Sequence, residues 1–338
     1  MHEEEPTSRT TLDPADQTLV EGVLRRQPRA LAKAITLVES TRPDHRPRAT
    51  AVLDALLPHT GRSIRVGISG SPGAGKSTFI EALGLALIHR GRRVAVLAVD
   101  PSSSRSGGSI LGDKTRMERL SVSPEAYIRP SPSRGSLGGV ADKTREAMLI
   151  CEAAGFDVVL VETVGVGQSE TTVAGMVDAF VLVQLPNAGD DLQAIKKGIV
   201  ELADVIVVNK ADIDPGAADL ARRQLQGALT LFRASPTGWK PVVVCVSASQ
   251  GRGIDEFWGE IERHHELLSK NGELDRKRHQ QSVDWMWSLI DTGLRERFRE
   301  NPAVRRELDD VSRRVAEGTM TASAAALKLL GHVEPLDS

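Results

Sequence analysis

From Arg62 onward the chain alternates short apolar runs with longer stretches in which apolar residues recur at helical spacing. The runs are IRVGIS, RVAVLAVD, DVVLVET, DAFVLVQL, DVIVVNK and PVVVCVSA. A strand with one wet face alternates apolar and polar side chains. These runs do not alternate, so both of their faces are expected to be covered, as in a parallel sheet carrying helices on either side. The block ends near His265. Ahead of it, Ala15 to Pro58 predicts three helical pieces, marked by Leu19, Val23 and Leu24, by Leu31, Ile35 and Val38, and by Leu53, Leu56 and Leu57. Pro28, Pro43 and Pro47 punctuate them. Behind it, QSVDWMWSLIDTGLRERFREN predicts a long helix with Val283, Trp287, Ile290, Leu294 and Phe298 in one stripe, widened by Trp285, Met286 and Leu289. Asn301 then reads as a cap, with Pro302 opening another helix.

The expected organisation is a disordered tail over residues 1–14, an N-terminal helical extension over 15–60, an α/β domain over 61–266 and a C-terminal helical arm over 267–338. Two readings of the arm's wide stripe stand side by side: packing on its own domain, or burial against a second subunit.

Composition changes this picture little. The 338 residues are 40% hydrophobic and 26% charged, as expected of a soluble globular protein, and 43 basic against 45 acidic residues leave a net charge of −2. Nothing in that balance argues for nucleic acid or an anionic membrane as a partner. Two cysteines, Cys151 and Cys245, lie far apart in apolar stretches and suggest neither a disulfide framework nor a metal site. The first residues, MHEEEPTSRTTLD, have no apolar centre and do not read as a signal peptide, and no apolar run approaches a membrane span. A cytoplasmic protein is expected.

The candidate chemistry sits at the ends of the apolar runs. IRVGIS leads into Gly70-Ser71-Pro72-Gly73-Ala74-Gly75-Lys76-Ser77 and then a helical stretch, the strand–loop–helix setting that a G-x4-G-K-[ST] phosphate loop requires. Glycines let backbone N–H groups turn inward around a phosphate chain, and the helix N-terminus adds its positive dipole. The cradle is expected to span Gly73, Ala74, Gly75, Lys76, Ser77 and Thr78, with Lys76 on the β- and γ-phosphates and Ser77 on Mg²⁺. Asn209-Lys210-Ala211-Asp212 follows another run. The Asp212 carboxylate can accept from N1–H and the 2-amino group of guanine, whereas adenine would leave it unpaired. PVVVCVSA ends in Ser247-Ala248, suited to a backbone contact with the guanine oxygen. The order of these segments predicts a GTP site. Glu162 stands next to last in DVVLVET, ahead of Thr163, Gly165 and Gly167 in a loop able to sense the γ-phosphate. Asp100 and Asp113 flank the Ser/Gly-rich PSSSRSGGSILG and are further candidates for the metal and the attacking water.

Together these residues resemble the MeaB/ArgK group of P-loop GTPases, G-protein chaperones of adenosylcobalamin-dependent methylmalonyl-CoA mutase. The stretches that carry the resemblance are GSPGAGKST, AVDPSSSRSGGSILGDKTRM, SRGSLGGVA, VVLVETVGVGQSE, DDLQAIKKGI and NKAD. It implies a P-loop NTPase fold, a mostly parallel central sheet flanked by helices, with helical extensions at both ends. It further implies GTP and GDP as ligands, Mg²⁺ held by Ser77 with Asp100, Asp113 and Glu162 as the acidic shell, and Asn209, Lys210 and Asp212 on guanine. DDLQAIKKG matches the family's additional switch, with Gln193 and Lys196 as its polar contacts. Family members dimerise through their helical extensions, so residues 267–338 become a dimerisation arm and 61–266 the GTPase domain. The implied role is to gate adenosylcobalamin loading and to protect or reactivate an acyl-CoA mutase.

Two alternatives remain. Related GTPases insert nickel, but these should carry His or Cys clusters, and the adjacent pair His264-His265 is read as solvated on a charged helix. Members of the same family have also been labelled kinases for amino-acid transport proteins, which would hand phosphate to a protein hydroxyl and not to water.

Overall fold

The computed structural model describes residues 12–99, 117–130, 137–163, 169–186, 197–229 and 237–332. Among the described residues, seven strands form one sheet: β1 (Ile64–Gly70), β2 (Val94–Val99), β3 (Ala126–Arg129), β4 (Val158–Thr163), β5 (Ala179–Gln184), β6 (Val205–Val208) and β7 (Val242–Cys245). Their order is β3-β2-β4-β1-β5-β6-β7, and every neighbouring pair is parallel. Thirteen α-helices accompany them among the described residues. The first six are α1 (Pro14–Leu24), α2 (Pro28–Glu39), α3 (His45–Leu56), α4 (Lys76–His89), α5 (Glu118–Ser121) and α6 (Leu137–Ala153). Then follow α7 (Ser169–Ala174), α8 (Lys197–Val200), α9 (Pro215–Leu229) and α10 (Ile254–Lys270), and finally α11 (Glu273–Glu300), α12 (Pro302–Ala316) and α13 (Ala322–Leu330). No helix among the described residues is long and apolar enough to cross a membrane.

The unbroken apolar runs have the expected cause. Every residue of β4, β5 and β6 is buried, because the sheet is covered on both faces. One face packs Phe79, Ile80, Leu83 and Leu87 of α4 with Phe257, Trp258 and Ile261 of α10. The other packs α6 and α9 together with the three N-terminal helices, which contribute Val23, Leu31, Ile35, Val38, Val52 and Leu56. The N-terminal helices therefore share the sheet's own core. Arg48 ties α3 to α1 through a two-pronged contact with the buried Asp16 carboxylate at 2.8 and 3.0 Å.

The sequence pattern yields six strands, and the structure has a seventh. Strand β3 lies at the sheet edge and buries only Ile128 of its four residues, so AYIR carries no run that stands out from its surroundings. A second correction concerns His264. It is 1% exposed, stands edge-on to the Trp239 ring with centroids 4.9 Å apart, and places Nε2 3.6 Å from Asp204 Oδ1. Its place follows from helical spacing: Phe257, Ile261, His264 and Leu268 form the buried face of α10. The charged neighbours on the other face obscured that.

The chain divides into two compact units, Met1–Arg278 and His279–Ser338. The first closes on a buried polar cluster at the N-terminal edge of β1 and β5. Arg278 donates to both carboxylate oxygens of Asp178, at 2.8 and 2.6 Å, and to the carbonyls of Gly61 and Ser63. The Arg65 backbone N–H donates to the same carboxylate at 2.8 Å, while its guanidinium pairs with Glu152 at 2.7 and 2.8 Å. Burial alone would push the Asp178 carboxyl up, but the Arg278 and Arg65 charges hold it below the usual carboxylate range.

The second unit has its own small core, in which Val304 and Val311 of α12 meet Ala325 and Leu329 of α13. Asn301 caps α12 by accepting from Ala303 N–H at 2.8 Å, with Pro302 in the first turn as expected. Val283, Met286, Trp287, Ile290 and Leu294 of α11 are exposed, Trp287 to 57%.

Candidate functional site

Strand β1 is central, with β4 and β5 on either side, and the loop between Gly70 and Lys76 stands at their carboxyl ends, where open parallel sheets bind ligands. Gly75 supplies the N-cap of α4 with φ of 86°, and a Cβ there would lie 2.7 Å from the Asn209 amide nitrogen. Backbone conformation and space both demand glycine. The Lys76 ammonium is held over the loop by the carbonyls of Gly70 at 2.8 Å and Ser71 at 3.3 Å. Ala74 turns its methyl into the core, whereas Gly73 and Thr78 lie exposed.

Glu162 reaches the same end of the sheet. Its register opposite Ile68 brings its Oε1 within 3.1 Å of the Ser77 hydroxyl, which donates to it. A hydroxyl and a carboxylate at this spacing suit Mg²⁺, a hard cation that takes few protein ligands when phosphates and water complete its shell. On the opposite face of the sheet, the next pair in register, Thr163 and Ser69, join hydroxyls at 2.8 Å. Asp100, Asp113, Gly165, Gly167, Gln193 and Lys196 lie outside the described residues.

The other end of the site is built by two loops. Asn209, 1% exposed, donates from Nδ2 to the carbonyl of Ala74 at 2.9 Å and accepts at Oδ1 from the Ala248 N–H at 3.2 Å. One amide thus joins the phosphate loop, the N-K-x-D loop and the Ser247-Ala248 turn. Lys210 adopts a left-handed conformation with φ of 59°, unusual for a residue with a side chain. Asp212 accepts at Oδ2 from Gln250 Nε2 at 3.3 Å, while its Oδ1 is shielded from water and has no hydrogen-bond partner among the described residues.

A sheet of this topology with these loops at one edge fits a nucleotide-binding enzyme, and a comparison of the whole chain decides which. The family model described as "Methylmalonyl Co-A mutase-associated GTPase MeaB" matches residues 31–303. The chain belongs to the MeaB family of P-loop GTPases. The match takes in every candidate site residue named above. A probable GTPase of Mycobacterium tuberculosis is 57% identical over 302 residues, covering 89% of this chain and 90% of that one. GTPase ArgK of Escherichia coli is 53% identical over 275 residues, covering 80% and 83%. The mouse mitochondrial protein named methylmalonic aciduria type A homolog is 46% identical over 326 residues, covering 92% and 78%. Among solved structures, that of a LAO/AO transport system kinase superposes with a TM-score of 0.76 at 38% identity, covering 96% of this chain and all of that one.

Membership in the MeaB family makes GTP and GDP the nucleotides and GTP hydrolysis the activity. The structure adds residues that sequence reasoning passed over. Ser69 continues an otherwise apolar run, and a lone hydroxyl there gave no hint of its bond to Thr163. Gln250 stands three positions past Ser247, with no motif to mark it. Asn209 was expected on guanine, and its bonds across three loops could not be read from a single segment.

Proposed function

We propose that this GTPase is Mg²⁺-dependent and serves as a chaperone for an adenosylcobalamin-dependent acyl-CoA mutase, methylmalonyl-CoA mutase first among the candidates. The observation that carries the client is the family match over residues 31–303, whose description names that mutase. In this reading Lys76 neutralises the β- and γ-phosphates, and the backbone of Gly73 to Thr78 cradles them. Ser77 and Glu162 hold Mg²⁺, with Asp100 and Asp113 completing the acidic shell. The bound ion would offset phosphate charge. Asn209 and Lys210 frame the base, Asp212 accepts from its donor edge and the Ser247-Ala248 turn faces its oxygen. Gln193 and Lys196 belong to the segment that couples nucleotide state to the client. GTP hydrolysis then gates delivery of adenosylcobalamin and protects or reactivates the mutase.

The exposed apolar residues of α11 support a homodimer built through the arm, residues 267–338, in a cytoplasmic setting without nucleic acid or membrane as partner. Large exposed apolar patches mark contact surfaces. A second reading has one observation behind it, the likeness to a solved protein that is named a transport system kinase. The two separate on the fate of the γ-phosphate. With γ-labelled GTP, we expect the label to appear as inorganic phosphate, at a rate raised by added mutase, with both Gln193→Ala and Lys196→Ala losing that stimulation. Transfer of label to a protein hydroxyl supports the kinase reading. No stimulation by any acyl-CoA mutase removes the chaperone role and leaves a GTPase with another client.

A further inference from the structure

We propose that Gln250 is a positioning residue for guanine recognition, its amide fixing the Asp212 carboxylate so that Oδ1 is the oxygen presented to the base. This rests on the reading of Asp212 as the guanine acceptor. The first observation is the asymmetry of that carboxylate: Oδ2 takes the 3.3 Å bond from Gln250 Nε2, and Oδ1 is shielded from water without a partner among the described residues. A shielded carboxylate oxygen with no donor is costly. The donors that would satisfy it are the adjacent N1–H and 2-amino group on the edge of guanine. Adenine, with an acceptor at N1, would leave the cost in place.

The second observation is how rigidly Gln250 is carried. It ends the turn Ala248–Gln250, which Gly251 closes at φ of 68°. Ser247 and Arg252 exchange backbone hydrogen bonds at 3.0 and 3.1 Å across the base of the turn. Gly253 then packs so tightly that a Cβ would lie 2.3 Å from the Cys245 carbonyl oxygen. The turn is also stitched to the N-K-x-D loop by the bond from Ala248 N–H to Asn209. An amide on such a frame can hold a carboxylate with little ordering left to do when nucleotide arrives. A glutamine–aspartate contact between mobile surface loops would do nothing of the kind.

The test compares equilibrium dissociation constants of the full-length protein for GTP, ITP and ATP. ITP keeps N1–H and lacks the 2-amino group, so the GTP:ITP ratio reads alignment of the carboxylate with both donors. Gln250→Ala should weaken GTP about fivefold, the scale of one hydrogen bond to a charged group discounted for exposure, and weaken ITP less, lowering the ratio. Gln250→Glu sets a second carboxylate against Asp212 and should lower the ratio further. Gln250 is exposed, so these variants should fold, and melting temperatures check that they do. Asp212→Asn tests the underlying reading separately: if it keeps wild-type preference for GTP over ATP, Asp212 does not read guanine. If Asp212→Asn loses that preference while Gln250→Ala keeps the wild-type GTP:ITP ratio, Gln250 does not position the carboxylate. An equal loss for all three nucleotides also overturns the proposal, because a purely structural residue would give it.

Discussion

The Lys76 ammonium rests on two loop carbonyls, an arrangement that holds a charge ready and leaves little of it accessible to water. Replacing it with alanine removes a preorganised donor, and such losses cost about 10²–10³ in rate. Lys76→Ala should therefore lower single-turnover GTP hydrolysis by that factor, and near-normal turnover would place the phosphates elsewhere. Glu162 makes a different case. Glu162→Gln keeps the size and one oxygen near Ser77 but loses the charge. It should raise the Mg²⁺ concentration needed for half-maximal hydrolysis while leaving the affinity for GDP in EDTA nearly unchanged. A collapse of metal-free GDP affinity would make Glu162 a nucleotide-binding residue and not a metal one. Lys210 carries strain at φ of 59°, which loops keep only where the surroundings enforce it; its Cε lies 3.8 Å from the position of a Gly75 Cβ, so its stem covers the phosphate loop.

At the scale of elements, what the sequence made legible and what it hid divide along physical lines. Strands covered on both faces are mostly apolar, so β1, β2, β4, β5 and β6 announced themselves, and β7, though it lies at the other edge, did so through its unbroken run of valines. Edge strand β3 has one buried residue and did not. A phosphate loop is local, with its glycines, lysine and serine consecutive, and could be read from one stretch. Asn209 to Ala74, Glu162 to Ser77 and Arg278 to Asp178 join segments far apart in the chain, and no periodicity encodes such pairs. The last of these makes a measurable claim. Removing one partner of a buried pair costs roughly 3–5 kcal/mol, less where hydrogen bonds survive, so Asp178→Asn should lower the urea midpoint at neutral pH. The Asp178 carboxyl titrates below its unfolded-state value, so its contribution is complete above that value and is lost as pH falls through the folded one. The gap between wild type and Asp178→Asn should therefore be widest near neutrality and narrow below about pH 4. A gap that stays constant into acid would mean that the carboxylate charge contributes nothing.

For the molecule as a whole, the two units differ in how they bury apolar surface. The first encloses a sheet between two helical layers. The second keeps a small core around four buried side chains, Val304, Val311, Ala325 and Leu329, and leaves Trp287 and its neighbours in water. Light scattering on the full-length protein should give about twice the chain mass of 36.4 kDa, and Trp287→Glu with Ile290→Glu should shift it to monomer while GTP still binds. A wild-type monomer at micromolar concentration would remove the dimer from the proposal. The Arg278 contact bears on how the protein is made. Asp178 leaves the ribosome a hundred residues before the guanidinium that pairs with it, so the N-terminal edge of β1 and β5 gains this contact only once the start of α11 has been made. A chain released between residues 178 and 277 carries the buried Asp178 carboxylate without the Arg278 guanidinium, and the stability lost with that pair exposes it to cellular quality control.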